Sequence, residues 1–539
     1  MRKEFTWRSL SLASIFAMIG ILIIVQMTRI QVSTEAADFR EQATRYKGWV
    51  ETVYPARGEI YDRNGNLLAG NQSVFEVGVT LQNIENAQSI AAILSTVLSV
   101  DYIETLTLIN NADEDQVYLR VADYVSSVQV EELRRIQGNI EEDNLNNSQE
   151  GQDSLAGLNF RRHLARSYPE NAIASNIIGF VNQSGRGYFG IEEKYNDLLA
   201  GNAVQVWVPA DPNRVEEIPH VPDGTTLVLT INRELQASTE QILDQSLYNY
   251  GAESGTIIVM DPKNGEILAM ASTPRLNLDN YSQYDQIFNS ASEYNRAINM
   301  PYEPGSVFKI LTMAAALDMG IVTPQTTYVD IGSFSINGTV IRNWDQGAWG
   351  LQDMTGCLRH SLNVCMAWIA TEMGTDNFYD YMSNFGIGHP TGIDLSGEAG
   401  GRLKVPGDAD WYPIDLATNS FGQGVTTTPI QMLMATSAVA NDGKMVAPHI
   451  LYGMVRNGKQ YDFPPQDAGT PISKGAAQAL SEMLANSIAG DDSNVAIPGY
   501  RLAGKTGTAQ IPTEYGWYSE DETNTSYIGW GPVDDPQFM

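Results

Sequence analysis

The stretch Glu303-Pro304-Gly305-Ser306-Val307-Phe308-Lys309 determines the local fold and the chemistry that can be inferred from this chain. Proline and glycine do not continue a preceding helix comfortably, so a new helix is predicted to begin near Ser306. That position places the Ser306 hydroxyl at the positive end of the helix dipole, which favours a developing alkoxide. Lys309 follows three residues later on the same helix face and is predicted to reach that hydroxyl. The stretch therefore predicts a serine nucleophile with a lysine base.

A lysine is a poor base at neutral pH, because its ordinary pKa is about 10.4. Burial or a second cation would lower that pKa, and Lys505 is the candidate for the second cation. A helical S-x-x-K pattern also arises often by chance, so it needs support from elsewhere in the chain. Ser361-Leu362-Asn363 offers such support. Its hydroxyl can relay a proton between Lys309 and a leaving amine, and its asparagine can hydrogen-bond a substrate amide.

The third motif is Lys505-Thr506-Gly507-Thr508, within a strand predicted over residues 500–510. Gly507 would let a substrate approach the strand backbone closely. Lys505 offers charge, and Thr506 and Thr508 offer hydroxyls, to a substrate carboxylate. The backbone N–H groups of Ser306 and Thr508 are the candidate oxyanion hole. Together and in this order, the three motifs predict serine acyl transfer.

Bulk composition narrows the class of protein. The 539 residues are 43% hydrophobic and 18% charged, which is typical of a globular chain of about three or four domains. The net charge of −31 argues against nucleic acid as a partner and fits a well-solvated surface. Five histidines are scattered without metal-ligand spacing, and His360, although beside Ser361, is interpreted as structural. They are His163, His220, His360, His389 and His449. No metal or cofactor is predicted.

Two cysteines, Cys357 and Cys365, do not make a disulfide framework. If one helix carried both, they would lie about 12 Å apart along its axis, too far to be bridged. A break in that helix would reopen the possibility of a bond.

Residues 9–28 carry no charge and are long enough to cross a membrane. Arg2, Lys3 and Arg8 precede them, which orients the N-terminus toward the cytoplasm, although Arg29 weakens this asymmetry. The alternative is a cleaved signal peptide. It is disfavoured because the apolar stretch is long and residues 33–37 make a poor cleavage site. The sequence predicts a retained anchor, with everything after Arg29 outside the cytoplasm.

Local patterns predict an α+β organisation. Asn64-Gly65 indicates a hairpin turn, and residues 255–261 and 265–272 indicate a hairpin. Predicted strands cover 74–81, 203–208, 225–232, 500–510 and 525–531. Predicted helices cover 36–46, most of 86–136, 233–248, the segment after Gly305 to Leu317, and much of 353–385. Residues 138–157 are predicted to be a solvated loop.

With these motifs in place, the chain resembles the penicillin-recognising serine enzymes, whose signature is S-x-x-K, S-x-N and K-T-G. More specifically it is similar to a class B penicillin-binding protein, a membrane-anchored D,D-transpeptidase. The E-P-G-S form resembles the septal, cell-division type more than the elongation type. Four further strings carry the likeness: RGEIYDRNG at 57–65, Arg166-Ser167-Tyr168-Pro169 with Gly190-Ile191-Glu192, Glu303-Pro304-Gly305, and Ser420-Phe421-Gly422-Gln423-Gly424 with Thr428-Pro429.

The resemblance implies a domain order. A cytoplasmic tail would cover residues 1–8, a transmembrane anchor 9–28, a mixed β/α non-catalytic pedestal or dimerisation domain 29–225, and the transpeptidase domain 226–539. That last domain would have an antiparallel sheet flanked by helices. The family also has a further strand and a closing helix beyond the point where this sequence stops. The domain is therefore expected to be truncated at its C-terminal end, with an uncovered sheet edge.

The resemblance also implies a reaction. Ser306 would attack the penultimate carbonyl of a peptidoglycan stem peptide ending in D-Ala-D-Ala, terminal D-Ala would leave, and an amine of a neighbouring stem would take the acyl group. β-Lactams would acylate Ser306 as mimics of the dipeptide. The implied partners are stem peptides, β-lactams, the cytoplasmic membrane, and division or elongation membrane proteins including a glycosyltransferase.

Several other functions remain alternatives. A β-lactamase would need a base for the deacylating water, and no Glu-x-x-Leu-Asn string lies between Asn363 and Lys505. A D,D-carboxypeptidase would pass the same acyl group to water. A non-catalytic penicillin sensor or scaffold should carry more membrane spans than the one at 9–28. A bifunctional glycosyltransferase-transpeptidase would need acidic glycosyltransfer motifs in 30–220, where none is recognisable.

Overall fold

The computed structural model describes residues 2–32, 48–113, 116–146, 153–209, 221–288, 293–489, 495–512 and 518–539. The helix predicted over 36–46 and His220 lie outside these ranges. The chain forms two compact units. The small unit comprises Met1–Ala56 and Gly201–Asp223, and the large unit comprises Arg57–Ala200 and Gly224–Met539.

In the small unit, a single helix runs over Arg2–Val32. Its segment Leu10–Arg29 is long and apolar enough to cross a membrane, and none of it is buried against the protein. The strand Val204–Pro209, predicted from the sequence, pairs antiparallel with Gly48–Val53. The small unit thus combines a candidate anchor with a two-stranded ribbon.

A seven-stranded sheet organises the large unit and joins distant parts of the sequence. Its strands pair in the order Lys459–Asp462, Leu451–Arg456, Thr226–Leu229, Ile60–Tyr61, Leu67–Thr80 and Tyr118–Val125, with Leu158–Ser167 also paired to Leu67–Thr80. The predicted turn at Asn64-Gly65 connects Ile60–Tyr61 to Leu67–Thr80. The pairing of Ile60–Tyr61 with Thr226–Leu229 is parallel, whereas its neighbours are antiparallel. Residues before 200 and after 450 therefore share one sheet.

The helices Ala87–Leu98, Tyr102–Asn110 and Ser127–Asn146 pack with part of this sheet around a separate hydrophobic core. The region 86–136 is mainly helical, as predicted, and it also contains the strand Tyr118–Val125, which pairs antiparallel with Leu67–Thr80. The loop predicted over 138–157 was wrong in its first part. The expected loop beginning at 138 is helical as far as Asn146, because Ile140 continues the apolar face that packs on this core.

Three sequence-distant strings meet in a buried ionic cluster. Glu192, which is 0% exposed, accepts hydrogen bonds of 2.7 Å from Arg57 Nε and from Arg166 Nε. Tyr168 Oη lies 3.5 Å from the same carboxylate and donates to it. Because one carboxylate serves two guanidinium groups, the cluster ties the strings at 57–65, 166–169 and 190–192 into one structure.

Glu192→Gln is expected to lower the free energy of unfolding by about 3 kcal/mol, because it leaves two buried guanidinium groups facing a neutral amide. Denaturant unfolding, followed by circular dichroism, measures this change. The matched control is Glu193→Gln at the exposed neighbouring position, which should change stability by less than about 0.5 kcal/mol. Equal effects at both positions would contradict a structural role for the cluster.

The second half of the chain contains two antiparallel strand pairs. Thr256–Met260 pairs with Ile267–Ser272 as the predicted hairpin, and Ala503–Pro512 pairs with Tyr518–Trp530, where the sequence predicted two strands but not their pairing. Met539 exchanges two backbone hydrogen bonds with Met260. One large core packs these strands against the longer helices. Those helices are Arg233–Tyr250, Lys309–Asp318, Asn363–Met373, Thr375–Asn384, Pro429–Ala440 and Lys474–Ile488. Pro429–Ala440 starts with Pro at its first turn and a Thr428/Gln431 capping box.

Shorter elements complete the large unit. Its short helices are Ser175–Ile178, Gly190–Lys194, Asn196–Ala200, Tyr284–Ile287, Arg296–Asn299, Met354–Arg359 and Pro413–Asn419, and its 3₁₀ turns are Leu81–Asn83, Leu278–Gln283 and Gly305–Phe308. Its short strands are Phe180–Val181, Gly187–Tyr188, Thr327–Asp330, Ser333–Ile336, Thr339–Arg342, Gly350–Asp353, Met445–Val446 and Asp467–Gly469.

Candidate active site

The turn that carries Ser306 is held by backbone contacts on both sides. Gly305–Phe308 forms a 3₁₀ turn that leads into the helix Lys309–Asp318, so the helix begins where the sequence predicted, with a tighter first turn. The Gly305 N–H donates to Gly422 O at 3.0 Å. A Cβ on Gly422 would lie 2.2 Å from Gly305 O, so the two segments can approach this closely only at glycine.

Glu303 fixes the other end of this turn. Its carboxylate accepts a hydrogen bond from Gly424 N at 3.0 Å and from Tyr518 Oη at 3.1 and 3.2 Å. Burial raises the pKa of Glu303, while these hydrogen bonds favour its ionised form. The carboxylate thereby links the string at 420–424 to the strand Tyr518–Trp530.

A continuous chain of polar atoms connects Ser306 to Lys309. Ser361 Oγ donates to Ser306 Oγ at 2.9 Å. Lys309 Nζ donates to Ser361 O at 2.6 Å, to Asn363 Oδ1 at 2.8 Å and to Ser361 Oγ at 3.1 Å. The sequence predicted that Lys309 reaches Ser306 directly, whereas the hydrogen bonds of Lys309 Nζ described here lead to Ser306 through Ser361. The structure thus brings four predicted residues within one hydrogen-bonded network.

Two buried lysines set the electrostatics of the network. Lys309 is 0% exposed, and burial, with the charge of Lys505 as a second cause, holds the pKa of its ammonium well below the ordinary value. Lys505 is 5% exposed, and burial lowers its pKa to about 8. Its Nζ donates to Thr506 O at 2.9 Å. The charge of Lys505 therefore opposes protonation of Lys309.

The strand Ala503–Pro512 packs directly on the turn that carries Ser306. Lys505 and Gly507 are buried, whereas Thr506 and Thr508 are exposed to solvent. A Cβ on Gly507 would meet Ser526 Oγ at 2.6 Å and Val307 Cγ1 at 3.0 Å, and one on Gly305 would meet Thr508 O at 2.9 Å. The two backbones that carry the candidate oxyanion N–H groups are therefore in close contact.

Ser361 lies at a break between the helices Met354–Arg359 and Asn363–Met373. Its φ of 53° is in the left-handed region. This break brings the Cα atoms of Cys357 and Cys365 to 6.2 Å, and the two form a disulfide. The 12 Å separation expected for one continuous helix therefore does not apply. The disulfide joins the residues on either side of the motif Ser361-Leu362-Asn363.

Sequence reasoning missed the loop over residues 343–349, which borders this motif. Asn363 Nδ2 donates to Arg342 O at 3.2 Å, and Trp344 Nε1 donates to His360 O at 3.3 Å. The ring of His360 stacks on Trp349 with centroids 3.9 Å apart, in keeping with its predicted structural role. Burial, with the charge of Arg359, lowers the pKa of His360. No motif spacing in the sequence links 344 to 360.

Within the described ranges, no three His, Cys, Asp or Glu side chains cluster as a metal site. The site combines a hydroxyl, a relay hydroxyl, a buried amine with a lowered pKa and a strand edge bearing threonines. These are the parts that a serine nucleophile needs.

Comparison with known proteins identifies two domains in the chain. Residues 255–539 match the penicillin binding protein transpeptidase domain, and residues 52–229 match the penicillin-binding protein dimerisation domain. Stage V sporulation protein D of Bacillus subtilis is 32% identical over 505 residues, covering 90% of this chain and 73% of that protein. The peptidoglycan D,D-transpeptidase MrdA of Acinetobacter baumannii is 28% identical over 539 residues, covering 90% of this chain and 77% of that protein.

Two solved structures share the fold. Penicillin binding protein 2X of Streptococcus thermophilus superposes with a TM-score of 0.74 at 23% identity, covering 91% of this chain and 76% of that one. Penicillin binding protein 3 of Mycobacterium tuberculosis, complexed with aztreonam, superposes with a TM-score of 0.67 at 24% identity, covering 90% and 89%.

Proposed function

The chain belongs to the penicillin-binding protein transpeptidase family, and from that premise we propose that it is a peptidoglycan D,D-transpeptidase acting through an acyl-enzyme on Ser306. The observation that carries the proposal is the hydrogen-bonded chain from Ser306 Oγ through Ser361 Oγ to Lys309 Nζ. The substrate class is the stem peptide ending in D-Ala-D-Ala, and β-lactams acylate the same hydroxyl.

The protonation state of Lys309 sets the direction of proton transfer. A charged ammonium has three donors and no acceptor, which matches its three hydrogen bonds. A neutral amine has two N–H groups, and the two shorter bonds, to Ser361 O and Asn363 Oδ1, retain them. Its lone pair then faces Ser361 Oγ, so the relay reverses and draws the proton from Ser306. Lys309 is therefore the general base, with Ser361 as the relay.

The reaction then follows in two steps. Ser306 Oγ attacks the penultimate D-Ala carbonyl, the peptide C–N bond breaks, and the relay returns the proton to the leaving D-Ala amine. An amine of a second stem peptide attacks the ester, and Ser306 regains its proton. The N–H groups of Ser306 and Thr508 stabilise the oxyanion in both steps. Lys505, Thr506 and Thr508 bind the terminal carboxylate, and Asn363 and Gly507 border the substrate backbone.

The domain assignment follows from the same proposal. Residues 1–8 form a cytoplasmic tail, 9–28 a single span of the bacterial cytoplasmic membrane, 29–225 the non-catalytic pedestal or dimerisation domain, and 226–539 the transpeptidase domain. The basic residues before the span support an N-terminus inside and a catalytic domain outside the cytoplasm. Membrane proteins of division or elongation, including a glycosyltransferase, are the proposed partners of the pedestal.

Labelled penicillin tests this function. The full chain in detergent is mixed with the label, and intact mass and peptide mapping follow the adduct over hours. The expected result is a long-lived adduct on Ser306, together with release of D-Ala from a D-Ala-D-Ala pentapeptide. Rapid conversion of the drug to its hydrolysed form would indicate a β-lactamase, and absence of any adduct would indicate a non-catalytic protein.

The acylation rate is expected to rise with pH as Lys309 loses its proton, at a pH well below the ordinary lysine pKa. Lys505→Met removes the neighbouring positive charge, which raises the pKa of Lys309 and moves this limb of the profile to higher pH. Stopped-flow acylation across pH measures the shift. Lys459→Met, at an exposed strand position, is the control and should leave the profile in place. A shift to lower pH in Lys505→Met would contradict this coupling.

A further inference from the structure

Residues 343–349, here called the rim loop, border the mouth of the candidate site. Besides the bonds from Asn363 Nδ2 and Trp344 Nε1, Val364 N donates to Asn343 Oδ1 at 3.3 Å. Trp344 thus contacts the residue that directly precedes Ser361, whose hydroxyl is bonded to Ser306. Side chains of this loop are thus hydrogen-bonded to residues one and three positions from Ser361.

The rim loop is firmly built. Asp330, buried to 1% exposure, accepts hydrogen bonds from Asn343 Nδ2 at 2.8 Å and from Trp349 N at 3.0 Å. Asn343 Nδ2 also donates to Gly347 O at 3.1 Å, and Asp345 Oδ1 accepts from Gly347 N at 2.9 Å. These bonds hold the loop in one conformation, in which its aromatic rings are exposed.

Two tryptophans of this fixed loop face solvent. Trp344 is 70% exposed and Trp349 is 39% exposed. Asp345, which lies between the two tryptophans in sequence, accepts a hydrogen bond from Trp349 Nε1 at 3.0 Å through its Oδ2. Indole faces beside a carboxylate form the environment that a primary ammonium group prefers, through cation–π attraction and charge.

The two substrates of the proposed reaction carry opposite charges, and the charged residues of the site suit them differently. The donor's terminal carboxylate suits Lys505, Thr506 and Thr508, and Asp345 would repel it. The acceptor brings an amine, which is cationic in solution. We propose that the rim loop, with Trp344 as its main contact, is the subsite for the ammonium-bearing side chain of the acceptor stem peptide. This assignment rests on the proposed transpeptidase function and names the substrate group that the site selects.

The step that follows binding balances as a simple aminolysis. The ammonium loses one proton to solvent, and its nitrogen forms a bond to the acyl carbon. The bond from that carbon to Ser306 Oγ breaks, and the second proton lost from nitrogen goes to Ser306 Oγ. The products are the cross-linking amide, the free serine and one proton. Trp344 touches the acceptor and takes no part in acylation.

The test separates aminolysis from acylation. The full chain in detergent is acylated with a D-Ala thioester donor, and the acyl group is partitioned between water and a stem tripeptide carrying a free side-chain amine. Trp344→Ala is expected to lower the ratio of aminolysis to hydrolysis about fivefold, with the rate of thiol release unchanged within about twofold. Trp344→Phe, which keeps an aromatic face but loses the hydrogen bond to His360, should retain most of the ratio. Tyr248→Ala, at an exposed aromatic far along the helix Arg233–Tyr250, is the control.

Each outcome decides the matter. An unchanged ratio in Trp344→Ala overturns the assignment. Equal losses in Trp344→Ala and Trp344→Phe, accompanied by slower thiol release, also overturn it, because they show that Trp344 acts only by supporting His360 and Ser361. Failure of the wild-type chain to release thiol at all would instead refute the proposed function, and is seen before any variant is compared.

Discussion

Ser306→Ala is expected to form no covalent adduct with labelled penicillin and to release D-Ala at a rate lower by about 10⁶-fold, the effect of removing the nucleophile from a serine acyl-transfer enzyme. The reason is that the proposed mechanism has one acylated atom, Ser306 Oγ, to which the relay hydroxyl of Ser361 is bonded. Intact-mass measurement after incubation with the drug, together with D-Ala release from a pentapeptide, checks the result.

The control for this variant is Ser184→Ala, at an exposed serine of the hairpin between Phe180–Val181 and Gly187–Tyr188, which should label fully. The unfolding midpoint of Ser306→Ala should match wild type, since a half-buried hydroxyl with one hydrogen bond contributes only about 1 kcal/mol. An alanine variant that still labels would place the nucleophile elsewhere.

Lys309→Met is expected to slow acylation by about 10³-fold, because it removes the proposed general base while keeping an unbranched side chain of similar length in a fully buried position. Stopped-flow measurement of acylation by a chromogenic cephalosporin gives the rate. The slow acylation that remains should no longer show the limb that tracks the pKa of Lys309. A variant with wild-type rate and profile would assign the base to another group.

Stability offers an independent check on the same residue. The pKa of Lys309 is lowered in the folded state, so the unfolded chain binds the proton more tightly. The contribution of Lys309 to the free energy of unfolding therefore falls as the pH decreases from the ordinary lysine pKa to the lowered pKa of the folded state. Below the lowered pKa this contribution no longer changes with pH. Relative to wild type, Lys309→Met should become more stable over the same interval. Unfolding midpoints across pH measure this trend, and a trend of the opposite sign would mean that Lys309 is not destabilised by burial.

The sequence predicted those parts of the fold that depend on short-range rules. Pro304 and Gly305 determine where the turn before Ser306 ends, and the turn residues after Asp261 determine the hairpin Thr256–Ser272. The position of the strand carrying Lys505 follows from its own composition. These features arise from neighbours in sequence, which a single chain displays directly.

Other parts depend on contacts between distant residues and could not be predicted. Ser361 adopts a left-handed backbone conformation without glycine or proline beside it, held by the bond from Lys309 and bracketed by the Cys357–Cys365 disulfide. The seven-stranded sheet pairs Ile60–Tyr61 with Thr226–Leu229, a parallel contact that no local pattern encodes. The position of the rim loop beside Ser361 depends on the hydrogen bond between Trp344 and His360, which no local pattern in the sequence predicts.

The close packing around Gly305, Gly422 and Gly507 limits which substitutions the protein can accept during evolution. At each of these positions a single added carbon would collide with a neighbouring backbone or side chain at 2.2–2.9 Å. If Ser306 is the acylated residue, as proposed, substitutions along this seam would displace it and are expected to cost the enzyme its own reaction as well as drug binding. Inherited changes that lower drug affinity alone are therefore expected at exposed positions such as the rim loop, where side chains have room to vary.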